Sequence, residues 1–246
     1  MADTVPYAKT IIPGALEPWS PGAQEVAEGL WLLGGRPRHK INVYVMGDVL
    51  VDSGTRHSAK RILRQIAGVP LRSHVLTHGH MDHMGAAHEV CEALDLPLIC
   101  GNADVAAVES GARLGLRDRP LLVRIEHRLI AGPGNPVSAT LKEGDRVAGF
   151  SVLEVPGHAP GHLAFWREED RVLVLGDVVY GLRVPSGRPG LQLPPAAFTP
   201  DPRQNLASAR RLAALEPEVV CFGHGPPLHD RARFCEFVAG ASVRNS

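Results

Sequence analysis

Thr77-His78-Gly79-His80-Met81-Asp82-His83 is the stretch on which the reading of this chain turns. It follows Val75-Leu76, an apolar pair that closes a strand, and precedes Met84-Gly85-Ala86-Ala87-His88, which opens a helical segment. The spacing predicts a tight loop at the carboxyl end of a strand. Neutral imidazole is the commonest metal-binding side chain, and imidazole combined with carboxylate suits zinc or iron. On an extended segment His78 and His80 point the same way. Asp82 and His83, at the start of a helix, aim at a neighbouring point. Asp82 also has the chemistry of a helix N-cap, a role compatible with metal binding.

Apolar runs and turns alternate on both sides of this loop. Before it, strands are expected at 29–34, 41–46 and 49–52, the last two joined by a Gly47-Asp48 hairpin turn. Residues 58–67 carry Ile62, Leu63 and Ile66 at helical spacing, and a strand is expected at 73–76. Beyond the loop come a helix to about residue 93 and strands at 97–100, 139–141, 150–155, 163–166 and 172–175. A helix at 203–215, a strand at 219–222 and a helix at 231–239 follow. Residues 1–25, with Pro6, Pro13, Pro18 and Pro21, are expected as an extended arm, and 181–202, rich in proline from Pro185 to Pro202, as loop. Residues 111–136 set Arg113, Arg117, Arg119, Arg124 and Arg128 against Asp118 and Glu126. They read either as a solvated connection or as a wall that welcomes an anion.

A chain of 246 residues suits one large α/β domain, and no linker divides the two strand-and-helix halves, so a single domain over 1–246 is expected. Lys+Arg and Asp+Glu balance at 26 each, which favours neither nucleic acid nor membrane as a partner. There is no basic-then-apolar leader and no run near the ~20 apolar residues of a spanning helix. Cys91, Cys100, Cys221 and Cys235 form no CxxC pair. A cytoplasmic protein with reduced thiols is the expectation.

His78 and His80 alone would leave a metal under-coordinated, since zinc takes about four ligands. Three further strand ends offer donors: His158 in Pro156-Gly157-His158, Asp177 in Leu175-Gly176-Asp177, and His224 in Phe222-Gly223-His224-Gly225. Each has a glycine just before it, which lets backbone pack closely round a site. One histidine after a strand is usually structural. Three donors in this order behind an HxHxDH loop point to one metal centre.

Together these residues resemble the metallo-β-lactamase fold superfamily, over about residues 30–228. The resemblance implies an α/β fold, an αββα sandwich of two mixed β-sheets flanked by helices, with metals at one edge. It implies His78, His80 and His158 as a first metal site, Asp82, His83 and His224 as a second, and Asp177 bridging. Two divalent ions would fill it, Zn2+ foremost, with Fe or Mn as alternatives. Asp52, in Asp52-Ser53-Gly54, matches the family's Asp-x-Gly, which supports the metal loop from behind; a turn-making aspartate is the other reading. A bridging hydroxide would leave such a site with a charge of roughly +1 beside two Lewis acids. The implied reaction is hydroxide attack on an ester, thioester or lactone carbonyl of a small-molecule acyl substrate. Asp82 would orient the nucleophile and pass its proton to the leaving group.

Asp177 narrows the branch, because true β-lactamases of this fold carry Cys or His there. Glyoxalase II and the persulfide dioxygenases keep the Asp but follow it with a Gly-Cys-Gly-Arg-like stretch, where this chain has Val178-Val179-Tyr180-Gly181. Only 22 residues come after His224, too few for the helical extension of glyoxalase II. Tyr180 resembles the phenol that quorum-quenching lactonases place to donate to the carbonyl oxygen; an aromatic packed under the 181–202 loop is the alternative. His162 reads as lining the pocket, as lying behind it, or as surface. Nuclease branches need basic grooves that the charge balance does not supply. A glyoxalase II-like or lactonase-like hydrolase is the leading expectation. A mononuclear non-haem iron oxygenase of the persulfide dioxygenase type, on His78, His158 and Asp177, competes with it.

Overall fold

The computed structural model describes residues 22–113 and 121–243. Its first half supplies β1 (Gln24–Ala27), β2 (Leu30–Leu32), β3 (Tyr44–Met46), β4 (Val49–Val51), β5 (Ser73–Val75), β6 (Leu98–Gly101) and β7 (Ala139–Leu141). These form one seven-stranded sheet in sequence order. β1 to β4 pair antiparallel and β4 to β7 parallel. The second half supplies β8 (Arg146–Val147), β9 (Phe150–Glu154), β10 (Leu163–Arg167), β11 (Val172–Gly176), β12 (Tyr180–Arg183), β13 (Arg188–Gln192) and β14 (Val219–Phe222). Its main sheet has the order β14-β11-β10-β9-β8, with β14 parallel to β11, while β12 and β13 form a separate hairpin.

The helices are α1 (Ala59–Gln65), α2 (Met81–Met84), α3 (Ala87–Leu94), α4 (Val105–Glu109), α5 (Leu121–Ile130), α6 (Pro202–Ala213) and α7 (Arg231–Gly240). Period-two alternation along the strands sorts side chains between layers. Tyr44, Met46, Val49 and Val51 face the second sheet and pack with Phe150, Phe165 and Val174. Val43, Val45 and Leu50 face the other way, onto Ile62 of α1 and Val90 of α3. Leu173 and Leu175 of β11 likewise meet Leu212 of α6 and Phe234 of α7. Strands covered on both faces read as unbroken apolar runs, and the layers stack as helix, sheet, sheet, helix. This is the expected αββα sandwich.

Four expectations need correction. Gln24 and Glu25 belong to β1 rather than to an arm, and residues 1–21 of that arm lie outside the described residues. The helix after the histidine loop is two helices, α2 and α3. Gly85 is pressed so close to its neighbours that a Cβ there would stand 2.6 Å from Arg56 N, and its own N–H donates to Gly54 O at 2.8 Å. Residues 181–202 are not simply loop but hold the β12–β13 hairpin; a two-stranded ribbon leaves each strand a free edge, where Pro189 costs no ladder bond. The 111–136 segment contains α5, while Arg117, Asp118 and Arg119 lie outside the described residues.

Candidate metal centre

The loops after β5, β11 and β14 and the β9–β10 turn meet at one edge of the sandwich. Backbone bonds join the sheets there: Leu163 N donates to Thr77 O, and Asn42 N to Gly223 O, each at 2.8 Å. The Asn42 side chain adds bonds to Phe222 O at 2.8 Å and Gly225 O at 2.7 Å. His80 occupies the N-cap of α2 in extended conformation and Asp82 lies in its first turn, so Asp82 is not the cap.

All seven sequence-predicted ligands come together. Three sets of donor atoms each lie within 4.8 Å of one another: His78, His80 and His158; His78, His83 and Asp177; Asp82, His83 and His224. Asp177 Oδ2 is the hub, 3.1 Å from His224 Nε2, 3.3 Å from His83 Nε2, 3.4 Å from His158 Nε2 and 3.9 Å from His78 Nε2. Asp82 Oδ2 lies 3.4 Å from His224 Nε2 and 4.0 Å from His83 Nε2.

The donor set fits a metal. His78 Nε2 faces His80 Nδ1 at 3.1 Å, and His83 Nε2 faces His224 Nε2 at 3.4 Å. His158 Nε2 and Asp177 Oδ1 are buried without a hydrogen bond. A buried polar atom left unmatched costs about 1–3 kcal/mol, and cations among these lone pairs remove that cost. Imidazole and carboxylate together suit zinc, iron or manganese.

The protonation states suit a cation as well. Burial, then the neighbouring rings of His83 and His80, drives His78 well below its ordinary pKa, and burial with His158 takes His80 to about 3. Burial alone would raise Asp177, yet His224 and His83 beside it hold it well below the usual carboxylate range. Burial also opposes charge on His224, but Asp177 outweighs it and raises that imidazole to about 10. His78 and His80 are therefore neutral and Asp177 ionised, the forms that bind metal, whereas the neighbouring carboxylates raise His83 and His224, which must each give up a proton to a metal that enters.

The family model for the metallo-beta-lactamase superfamily matches residues 36–224. The chain belongs to that superfamily. It is 34% identical over 206 residues to the probable metallo-hydrolase YflN of Bacillus subtilis (strain 168), covering 73% of this chain and 76% of that one. It is 27% identical to a hydroxyacylglutathione hydrolase of Bdellovibrio bacteriovorus, over 67% of this chain but only 53% of that protein. Among solved structures, TTHA1623 in a di-iron-bound form is 36% identical with a TM-score of 0.57, over 78% of this chain and 90% of that one. A metallo-beta-lactamase family protein of Thermus thermophilus, TTHA1429, is 27% identical with a TM-score of 0.61, over 87% of this chain and 80% of that one.

In this superfamily member the far ring nitrogens of His78, His83, His158 and His224 are each held by a specific partner. Thr77 Oγ1 takes His78 Nδ1 at 3.0 Å, Asp52 Oδ2 takes His83 Nδ1 at 2.9 Å, Thr199 Oγ1 lies 3.1 Å from His158 Nδ1, and Lys40 O accepts from His224 Nδ1 at 2.5 Å. Such partners set tautomer and ring orientation. Asp52 also accepts from Thr77 N and Thr77 Oγ1, so it is more than a turn-maker. Asp104, which the sequence reading missed, is buried and accepts from Gly79 N at 2.8 Å and Gly161 N at 2.7 Å. It fastens the histidine loop to the β9–β10 turn. His162 is neither surface nor cavity lining: it is fully buried and its Nε2 accepts from Asp177 N at 3.2 Å.

The three glycines before the distal donors are needed for close approach. A Cβ on Gly157 would stand 2.2 Å from Asn205 N, on Gly176 2.6 Å from His162 Nε2, and on Gly223 2.0 Å from Asp177 Oδ1. A cavity of about 1620 Å³ opens over the centre, lined there by His80, Asp82, His158, Asp177, Tyr180 and His224. Tyr180 lines the cavity, its ring centroid 4.7 Å from that of His224. Burial, then Asp177 and Asp82, raises its pKa, so the hydroxyl keeps its proton. Arg113, Arg124 and Arg128 line a separate depression with Leu121 and Ile125, so they do not form a wall of this cavity. Among the described residues no helix is long and apolar enough to cross a membrane.

Proposed function

We propose that this chain is a dinuclear metal-dependent hydrolase of an ester, thioester or lactone. The observation that carries the reading is the position of Asp177 Oδ2, within 3.9 Å of imidazole nitrogens on both sides, those of His78 and His158 and those of His83 and His224. His78, His80 and His158 would hold one ion, Asp82, His83 and His224 the other, with Asp177 common to both. Divalent ions held there supply Lewis acidity and lower the pKa of water far below ~15.7. Asp82, His83 and His224, whose donor atoms lie within 4.8 Å of one another, support a second ion beside the one that a mononuclear iron oxygenase would hold.

The protein's own groups divide the remaining work. The Asp82 side chain is 25% exposed whereas Asp177 is 2% exposed, so Asp82 is the carboxylate able to exchange a proton with a leaving group. Tyr180, protonated and in the cavity wall, donates to the carbonyl oxygen as charge develops there. Support also comes from the relatives named metallo-hydrolase and hydroxyacylglutathione hydrolase.

The test is metal analysis of protein purified without chelator, with kinetics on a panel of lactones, thioesters and esters. Two zinc, iron or manganese per chain are expected, with turnover of at least one class. Tyr180→Phe should lower kcat about 10-fold with a smaller change in KM. One iron per chain and no hydrolysis across the panel would overturn the reading.

A further inference from the structure

Among the described residues, four Arg and Lys side chains line the cavity: Arg36 and Lys40 on the β2–β3 connection, and Arg61 and Arg64 on α1. The carboxylates lining it, among the described residues, are Asp82, Asp104 and Asp177. All three are engaged, the first and last among the imidazoles and Asp104 on the backbone of Gly79 and Gly161. Arg72, Arg167, Arg171, Arg211 and Arg231 form ion pairs, and none of these five is on this wall. Burial, then the nearby charge of Arg64, lowers the pKa of Arg61, which marks like charge left unbalanced.

The wall is built as well as charged. Arg61 Nη1 donates to Gly34 O at 2.6 Å and to Gln65 Oε1 at 3.2 Å, which fixes a half-buried guanidinium at the cavity side. The connection that begins at Gly34 also reaches the metal centre, where Lys40 O accepts from His224 Nδ1 and His39 O accepts from Gly225 N at 2.7 Å. The loop that orients one histidine of the centre therefore carries two of the cations. Elsewhere the lining includes the apolar Leu182, Val184, Ala196 and Phe198. A cleft lined by one sign of charge concentrates the opposite ion, and guanidinium forks match phosphate and carboxylate geometry.

We propose that Arg36, Lys40, Arg61 and Arg64 form the subsite for an anionic group, phosphate or carboxylate, carried by the substrate at a distance from its scissile carbonyl. The identity of the cleaved bond rests on the hydrolase reading above; the anion subsite does not. Substrates of this class are acyl esters or thioesters with an uncharged acyl part and an anionic carrier.

Kinetics on zinc-loaded protein would compare acetylthiopropyl phosphate, acetylthiobutyrate and acetylthiopropanol. The two anions should show kcat/KM about 10-fold above the alcohol, expressed mainly in KM. Arg36→Gln/Arg64→Gln should bring the ratio near one, and Arg36→Lys/Arg64→Lys should restore most of it. Arg124→Gln/Arg128→Gln, in the separate depression, should leave the ratio as it is. Calorimetry with the uncleavable ethylthiopropyl phosphate and ethylthiopropanol separates the two readings. Tighter binding of the phosphate, lost in Arg36→Gln/Arg64→Gln, upholds the subsite even if no thioester is turned over, a result that would sink only the hydrolase reading. Equal binding of phosphate and alcohol, or a preference that survives the double substitution, overturns the subsite.

Discussion

Replacing Asp52 with asparagine changes the polarity of the centre's support without changing its size. The backbone at position 52 has φ of 59°, in the left-handed region, where asparagine is well tolerated, so the effect should come from the side chain. Asp52 Oδ1 accepts from Thr77 N at 2.8 Å, and Oδ2 accepts from Thr77 Oγ1 at 2.8 Å and from His83 Nδ1 at 2.9 Å. Thr77 Oγ1 in turn accepts from His78 Nδ1 at 3.0 Å. One carboxylate oxygen thus fixes the proton on Nδ1 of His83 directly and of His78 through Thr77. Both rings then present their Nε2 lone pairs to the centre.

An amide nitrogen in place of Oδ2 donates where the oxygen accepted. His83 must then accept at Nδ1, and Thr77 must donate to His78, so both rings carry their proton at Nε2, the atom facing the metal. Turning the amide round instead sets its nitrogen against Thr77 N–H, a buried mismatch worth about 1–3 kcal/mol. Asp52→Asn should therefore bind zinc roughly 10–100-fold more weakly and melt about 2–8 °C lower. Competition with a chromophoric chelator, metal content by mass spectrometry and thermal melting measure these together. An Asp52→Asn protein that binds zinc within twofold of the wild type would refute the reasoning.

Gly223→Ala should abolish metal binding while the far-ultraviolet spectrum stays native, because its Cβ would stand 2.0 Å from Asp177 Oδ1; retention of full metal content would contradict this. Asp104→Asn leaves either Gly79 N or Gly161 N facing an amide donor, a loss of about 2 kcal/mol that should lower the melting temperature by roughly 4–8 °C, and an unchanged melt would count against the clamp. Burial pushes the thiols of Cys91 and Cys100 up to about 12 and that of Cys221 higher still, whereas Cys235 is only partly buried. Iodoacetamide at about pH 8 should give one adduct on the native protein, at Cys235, and four after unfolding; mass spectrometry that finds native labelling at Cys221 would disprove it.

The sequence by itself determined what local pattern can carry. The apolar runs of β3, β4, β10 and β11 announced strands, and the HxHxDH loop with its three glycine–donor pairs named the seven side chains that meet at one edge. Those signals are legible because a strand's period and a glycine's missing Cβ act within a few residues of the chain. Only the tertiary structure decided the rest. Thr199 reaches His158 across 41 positions, Asp104 reaches Gly161 across 57, and the Lys40 carbonyl reaches His224 across 184. The arginines of 113–128 read as a solvated connection or as an anion wall; the fold sets Arg113, Arg124 and Arg128 in a separate depression and brings Arg36, Lys40, Arg61 and Arg64 to the cavity. A hydrogen bond or a charged wall between distant segments leaves no periodic trace, because it depends on where strand ends and loops are placed by packing two sheets face to face.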